Sequence, residues 1–309
     1  MDAFEQNRRL GRGVNVIGYD RIWSSRAAGR FKAEHFGLIA GAGFQHVRIN
    51  LHPYAHMAPD GTIPAHWLET LDWAVEECRK VGLLAILDMH EFTAMAKDPI
   101  GLKERLLAVW RQLAPRYASA SDDVLFELLN EPNGLLTPEL WNDFLKEPLS
   151  IVRETNPTRT VILGPAWWNG IDHLADLRLP EDDRNLIVTV HYYHPMPFTH
   201  QGAAWAEEHK HLSGIKWNGT DDEVAAIRKD FEGVQTWAKA NDRPIYLGEF
   251  GAYEVGDMDS RARYTAAVAR EAERLGWSWG YWQFDSDFVV YNIDKQQWVE
   301  PVLHALVPV

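Results

Sequence analysis

The chain has one cysteine, Cys78, in 309 residues. A single thiol can form neither an internal disulfide nor a thiolate metal cluster, and a lone cysteine in a helical stretch reads as a small buried apolar residue. Basic residues are in deficit too: 31 Lys and Arg stand against 44 Asp and Glu, giving a formal charge of −13 and a pI near 5.4. Nucleic acids and anionic membranes select for basic patches, so neither is an expected partner and a neutral substrate fits better. No uninterrupted apolar run reaches the roughly 18 residues that span a bilayer. The opening MDAFEQNRRLGRG lacks an apolar signal core. The chain therefore reads as cytoplasmic, or as a mature form whose export signal was removed and replaced by Met1. No GxGxxG follows the first strand-like run, which argues against an open dinucleotide-binding sheet, and no repeat, low-complexity tract or linker interrupts the chain.

What is present is an alternation. Eight apolar, β-rich runs recur: GVNVIG (13–18), HVRINL (46–51), LLAILDMH (83–90), VLFELLNE (124–131), TVILGPA (160–166), LIVTVHYY (186–193), PIYLGEFG (244–251) and WSWGYWQF (277–284). Between them lie amphipathic segments such as HWLETLDWAVEECRKVG, with its Gly stop, and DDEVAAIRKDFEGVQTWAKAN, acidic at its start and basic near its end. Eight βα units in one chain of this length predict a (β/α)8 TIM barrel, one catalytic domain spanning residues 1–309. The fourth run, with Val124, Leu125, Phe126, Leu128 and Leu129, reads as a strand buried on both faces, as parallel strands are. One connection is unusually long, from His194 to about Asp222, and long structured loops in compact domains tend to be functional.

The chemistry-bearing residues gather at or near the C-terminal ends of these runs: Arg48, His90, Asn130 and Glu131, His191 and Tyr193, Glu249, and Trp282. In a (β/α)8 barrel those ends converge on one face, which is where active sites form. Taken singly, Arg48 reads equally as a structural ion-pair partner, His90 and His191 as satisfied core histidines, and Trp282 as core. Glu131 and Glu249 resist that reading, because each terminates an apolar run where an unpartnered carboxylate is costly.

Two carboxyls in one barrel mouth suggest glycoside hydrolysis. One, with a raised pKa, protonates the leaving oxygen, while the other, kept ionised, attacks the anomeric carbon or activates water. Arg48 and the Tyr193 hydroxyl are suited to hold one carboxylate ionised, Asn130 and His90 to bond sugar hydroxyls, and Trp282 to stack on a pyranose ring. The chain also carries 14 Trp. Trp23, Trp167, Trp168, Trp205 and Trp217 fall in predicted strand ends or loops, and two or three of them are expected to line a sugar groove.

The ordered set HVRIN, LDMHE, FELLNEPNG, HYYHP, YLGEFG and GYWQFD resembles glycoside hydrolase family 5, the cellulase and mannanase family, over nearly the whole chain. The resemblance implies a retaining mechanism with Glu131 as acid/base and Glu249 as nucleophile. It implies that Arg48, His90, Asn130, His191, Tyr193 and Trp282 complete the sugar site, with no cofactor and no metal. The segment HYYHPMPFTHQGAAW is similar to that of members acting on β-1,4-glucans, and Trp205, which closes it, is expected to wall the cleft. The departure is VIGYDRIW, residues 16–23, where many endoglucanases continue RGVN with a Gly-Asn pair.

The reading is thus an endo-β-1,4-glucanase, expected as a monomer, with a β-linked polysaccharide or oligosaccharide as its partner. β-Mannanase, xyloglucanase and aryl β-glucosidase remain alternatives within the family. A metal-dependent barrel hydrolase would draw ligands from His52, His56, His90, His191 and His194, but such sites usually carry an HxH at the end of the first strand, which this chain lacks. A non-catalytic carbohydrate-binding protein would keep the aromatics without needing both glutamates.

Overall fold

The computed structural model describes residues 1–308. Eight parallel strands close into a barrel in sequence order: β1 (Arg12–Val16), β2 (His46–Leu51), β3 (Leu84–Met89), β4 (Val124–Glu127), β5 (Val161–Leu163), β6 (Leu186–Tyr192), β7 (Ile245–Phe250) and β8 (Ser278–Tyr281). Closure is made by β8 pairing back onto β1, with Gly13 opposite Gly280. Seven strands lie inside the runs predicted for them, most of them shortened where the run leaves the ladder, and β1 starts one residue before its run, at Arg12.

Outward side chains such as Val47, Ile49, Leu87 and Phe126 pack under the helices, in one core with Trp67 and Trp110. The helix predicted from HWLETLDWAVEECRKVG runs Ala65–Val81, buries Cys78 and stops at Gly82, whose φ of +77° is a conformation glycine adopts without cost. The helix Asp221–Asn241 opens on a capping box made by Thr220 and Glu223.

Inside the barrel the layers differ. The lower layer is apolar, with Leu84, Ile86, Leu125, Ile162, Ile187 and Tyr246 forming their own cluster. It is closed from below by the helix Ala3–Leu10, which sequence reading missed: its first residues look polar, but Ala3, Gln6, Asn7 and Leu10 form one buried face. Asn7 bonds the carbonyl of Ile245 and accepts from Ser278, sealing the plug to β7 and β8. The upper layer is just as buried but polar, because its groups satisfy one another's charges and hydrogen bonds. Asn15, Arg48, Asn50, Asp88 and Glu127 are all fully buried.

The abundance of tryptophan is largely structural. Trp67, Trp110, Trp141 and Trp279 are among the largest fully buried side chains. Of the five loop and strand-end tryptophans, Trp23 is buried in a stack on Trp67 and Trp217 is buried against Tyr264. Trp168 and Trp205 are exposed, and Trp167 lies partly exposed beside Trp168.

Candidate active site

Arg48 organises the polar layer. It lies in the middle of β2, not at its end, and all its N–H groups are engaged. Nε and Nη2 grip the Glu127 carboxylate at 2.7 and 2.8 Å, in the parallel two-bond geometry that guanidinium favours. Nη1 donates to Asn15 and to Glu249 Oε1, both at 2.8 Å. Nη2 donates also to Asn130 Oδ1 at 2.7 Å and lies 3.2 Å from Asp88. Since its oxygen is taken by Arg48, Asn130 turns its amide nitrogen toward the His90 ring.

Sequence reading missed Glu127 and Asp88. The period of two puts Leu125 and Glu127 on the same, inward side of β4, but nothing local to the run shows the cation that the carboxylate meets there.

Glu131 stands just beyond β4 with a φ of +41°, a region disfavoured for a residue with a β-carbon. Its Oε1 lies 2.7 Å from His191 Nδ1. Glu249 reaches the same place through a bulge. In the β6–β7 ladder Leu247 pairs with Val190, yet Glu249 pairs with His191, so Gly248 is an extra residue that re-aims Glu249 into the barrel. A β-carbon at position 248 would lie 2.5 Å from Thr189 Oγ1, which explains why the bulge residue is glycine. The Tyr193 hydroxyl donates to Glu249 Oε2 at 3.0 Å. One oxygen of Glu131, one of Glu249 and a ring nitrogen of His191 lie within 4.8 Å of one another.

His90 donates or accepts through Nδ1 to Asp88 at 2.6 Å and stacks on Trp282 with an interplanar angle of 7°. Beyond it His52 packs edge-on, and Tyr19, an exposed residue of the divergent segment VIGYDRIW, stacks over His52 at 4.4 Å. A row of rings thus runs from solvent to His90 and Trp282, beside the Asn130 amide; in the sequence His52 stood out only as a candidate metal ligand and Tyr19 only as part of the divergent segment. On the other side, Trp205 lies edge-on to Tyr253 and reaches Phe288, which contacts Tyr193.

The predicted site residues other than Trp205 therefore touch one another in one network, which Trp205 joins only through Phe288. The alternative histidine ligand set does not converge: His194 packs on Tyr192, and His56 is absent from the network. Among the described residues, Glu131, His191 and Glu249 are the one group spaced to hold a metal. That set fits a cation poorly, because His191 Nδ1 is engaged by Glu131 and Arg48 already places a positive charge on Glu249.

Burial dominates the electrostatics. It raises the Glu131 carboxyl to about 8, with Asp88 and Glu127 pushing the same way against Arg48. It raises Glu249 to about 7, where Glu131 adds to the rise and Arg48 opposes it. Burial also lowers His90 and His191, so both rings are neutral at pH 7. These shifts carry a stability consequence. A carboxyl whose folded pKa exceeds its unfolded value binds more protons when folded, so stability falls as pH rises toward the folded pKa. The lowered histidines act oppositely, but only below about pH 6.5. Between pH 6.5 and 9 the melting temperature is therefore expected to fall, and Glu131→Gln should make that fall shallower; a variant as steep as the wild type would contradict the assignment.

A family model described as Cellulase (glycosyl hydrolase family 5) matches residues 8–287. The chain belongs to glycosyl hydrolase family 5. Within this family it is 30% identical to Endoglucanase H of Acetivibrio thermocellus, over 99% of this chain but 34% of that protein, so it spans about a third of that relative. Endoglucanase C of the same organism is 28% identical, with 96% of each chain covered. Endoglucanase Cel5A of the hyperthermophile Thermotoga maritima superposes with a TM-score of 0.93 at 40% identity, covering 99% of this chain and all of that one. That enzyme has also been solved with cellobiose and with mannotriose.

Proposed function

We propose that this barrel is a single catalytic domain that hydrolyses β-1,4-glucans by double displacement with retention of configuration. The observation that carries the reading is the unequal surroundings of two carboxyls whose oxygens approach within 4.8 Å. Glu249 takes one hydrogen bond from Arg48 and one from Tyr193, both of which favour its ionised form, and it acts as the nucleophile. Glu131 keeps the higher pKa and the more open position, 13% against 6% side-chain exposure, and acts as the acid and then the base. Retaining glycosidases hold the two carboxyls about 5 Å apart, whereas inverting ones leave roughly 6.5–9.5 Å for a water. Asn130 and His90 bond the sugar in the site next to the scissile bond, and Trp282 supports its apolar face.

Glucan is the preferred substrate class, with mannan the nearest competitor because the Thermotoga maritima relative accommodates both cellobiose and mannotriose. Initial rates on carboxymethyl cellulose, mixed-linkage β-glucan, glucomannan and xyloglucan test this order. Proton NMR of the first-formed product tests the mechanism: the β-anomer is expected, and the α-anomer would remove it.

Trp205 is exposed on the Tyr193 side and is positioned to stack on sugar rings of a polymer. Trp205→Ala is expected to cost about tenfold on carboxymethyl cellulose, the size of one aromatic contact, and less than about twofold on an aryl cellobioside. Equal losses on both substrates would assign Trp205 to packing.

A further inference from the structure

The loop after β5 contains three consecutive residues, Trp167, Trp168 and Asn169, with φ of +59°, +59° and +52°. Asn tolerates the left-handed region, but the two bulky tryptophans are held there against their preference, and such conformations persist only where the surroundings over-determine them. What the turn accomplishes is the burial of one amide. Asn169 is fully buried, its carbonyl accepts the His191 backbone N–H at 2.9 Å, and its Nδ2 lies 3.4 Å from His191 Nε2. Room for it is made by Gly164, where a β-carbon would lie 2.5 Å from Asn169 Oδ1. That oxygen is buried with no hydrogen-bond partner. A buried unpaired carbonyl is a cost that packing alone does not explain.

We infer that Asn169 is a positioning residue that acts on Glu131 through His191. By donating to Nε2, it leaves the proton of the neutral ring on Nδ1, and Nδ1–H then donates to Glu131 Oε1 at 2.7 Å. Among the described residues Glu131 Oε2 has no hydrogen-bond partner, so that oxygen carries the proton toward the leaving group. The charged and titratable groups around the His191 ring are Glu131, Glu249 at 3.6 Å, Arg48, Glu127, Asp88 and His90. An imidazolium in that position would draw Glu131 toward its ionised form; the amide donor opposes this by requiring a lone pair on Nε2.

The inference rests on the acid/base reading of Glu131, and the experiment separates the two. Asn169→Asp keeps the side-chain shape but replaces the donor with an acceptor, so Nε2 must carry a proton. For Asn169→Asp, kcat/KM on cellooligosaccharides, which need a protonated leaving group, is expected to fall about tenfold or more, and on 2,4-dinitrophenyl cellobioside by less than about threefold. Its alkaline limb should move to lower pH, and ring ¹⁵N NMR should show the His191 Nδ1–H tautomer in the wild type but not in the variant. Asn169→Gly, which tolerates the left-handed backbone, should show the same leaving-group dependence if the amide matters and the turn alone does not. Equal losses on both substrates, or an unmoved alkaline limb with an unchanged tautomer, would overturn the inference. Glu131→Gln measured alongside isolates the premise: without a leaving-group dependence there, the acid/base reading itself falls, whereas dependence in Glu131→Gln but not in Asn169→Asp sinks the inference alone.

Discussion

Glu249→Ala is expected to lose about 10⁵–10⁶-fold in kcat, the scale of deleting a covalent nucleophile, and Glu131→Ala to lose it selectively. The distinction lies in what each variant retains. Without Glu131, Glu249 can still attack a substrate whose leaving group needs no proton, so 2,4-dinitrophenyl cellobioside should give a burst of phenolate followed by slow turnover. The slow step is hydrolysis of the glycosyl intermediate, because no base is left to activate water. Azide needs no such base; it should restore turnover and yield the β-glycosyl azide. Without Glu249 no intermediate forms, and azide entering the vacated space attacks the opposite face to yield the α-azide. Glu131 is the carboxyl bonded to a neutral His191 and Glu249 the one bonded to Arg48 and Tyr193, which is why the roles are assigned this way round. The α-azide from the Glu131 variant and the β-azide from the Glu249 variant would reverse them.

The second large effect is on the fold as well as the chemistry. Arg48 is fully buried and touches three carboxylates, Glu127, Asp88 and Glu249, at 2.7, 3.2 and 2.8 Å. Arg48→Met fills much of the volume but leaves those groups in a low-dielectric layer without a cation. Breaking a buried ion pair from one side typically costs about 3–5 kcal/mol, which for a domain of this size corresponds to a fall in melting temperature on the order of 10 °C. Activity should fall more steeply than stability does, since Glu249 loses the charge that favours its ionised form. Arg48→Lys is not a rescue, because one ammonium cannot reproduce a fork that serves Glu127, Asn15, Asn130 and Glu249 together. Thermal unfolding and kcat/KM measured on both variants check this; a wild-type melting temperature for Arg48→Met would refute the account. Should that variant fail to fold, Glu127→Gln, which keeps the cation and the shape, should still fold and lower activity through a displaced Arg48.

How much of this was written in local sequence depends on the range of the interaction responsible. The eight apolar runs determined the barrel by themselves, because burial on a period of two or 3.6 is a property of neighbouring residues. Glu131 and Glu249 were legible for the same local reason: each is a charge set at the end of an apolar run. Their partners Arg48, His90, Asn130, His191, Tyr193 and Trp282 were legible once strand ends were known to share a face. Glu127 and Asp88 were not, since a carboxylate inside a strand looks like a solvent-facing residue until Arg48, 79 positions before Glu127, is seen to reach it. The helix Ala3–Leu10 has a polar composition, and only the open floor of the barrel makes a plug of it. Gly248 became a bulge because β6 pairs with β7 in two registers, and Asn169 met His191 because a loop of three left-handed residues folds back onto β6. Tyr19, in the segment that departs from the family pattern, joined the cleft by stacking on His52, 33 positions away. Neighbouring residues decided which segments were buried. Closing the barrel decided which charges met, because the free energy of a buried ion depends on the partners that the fold brings to it.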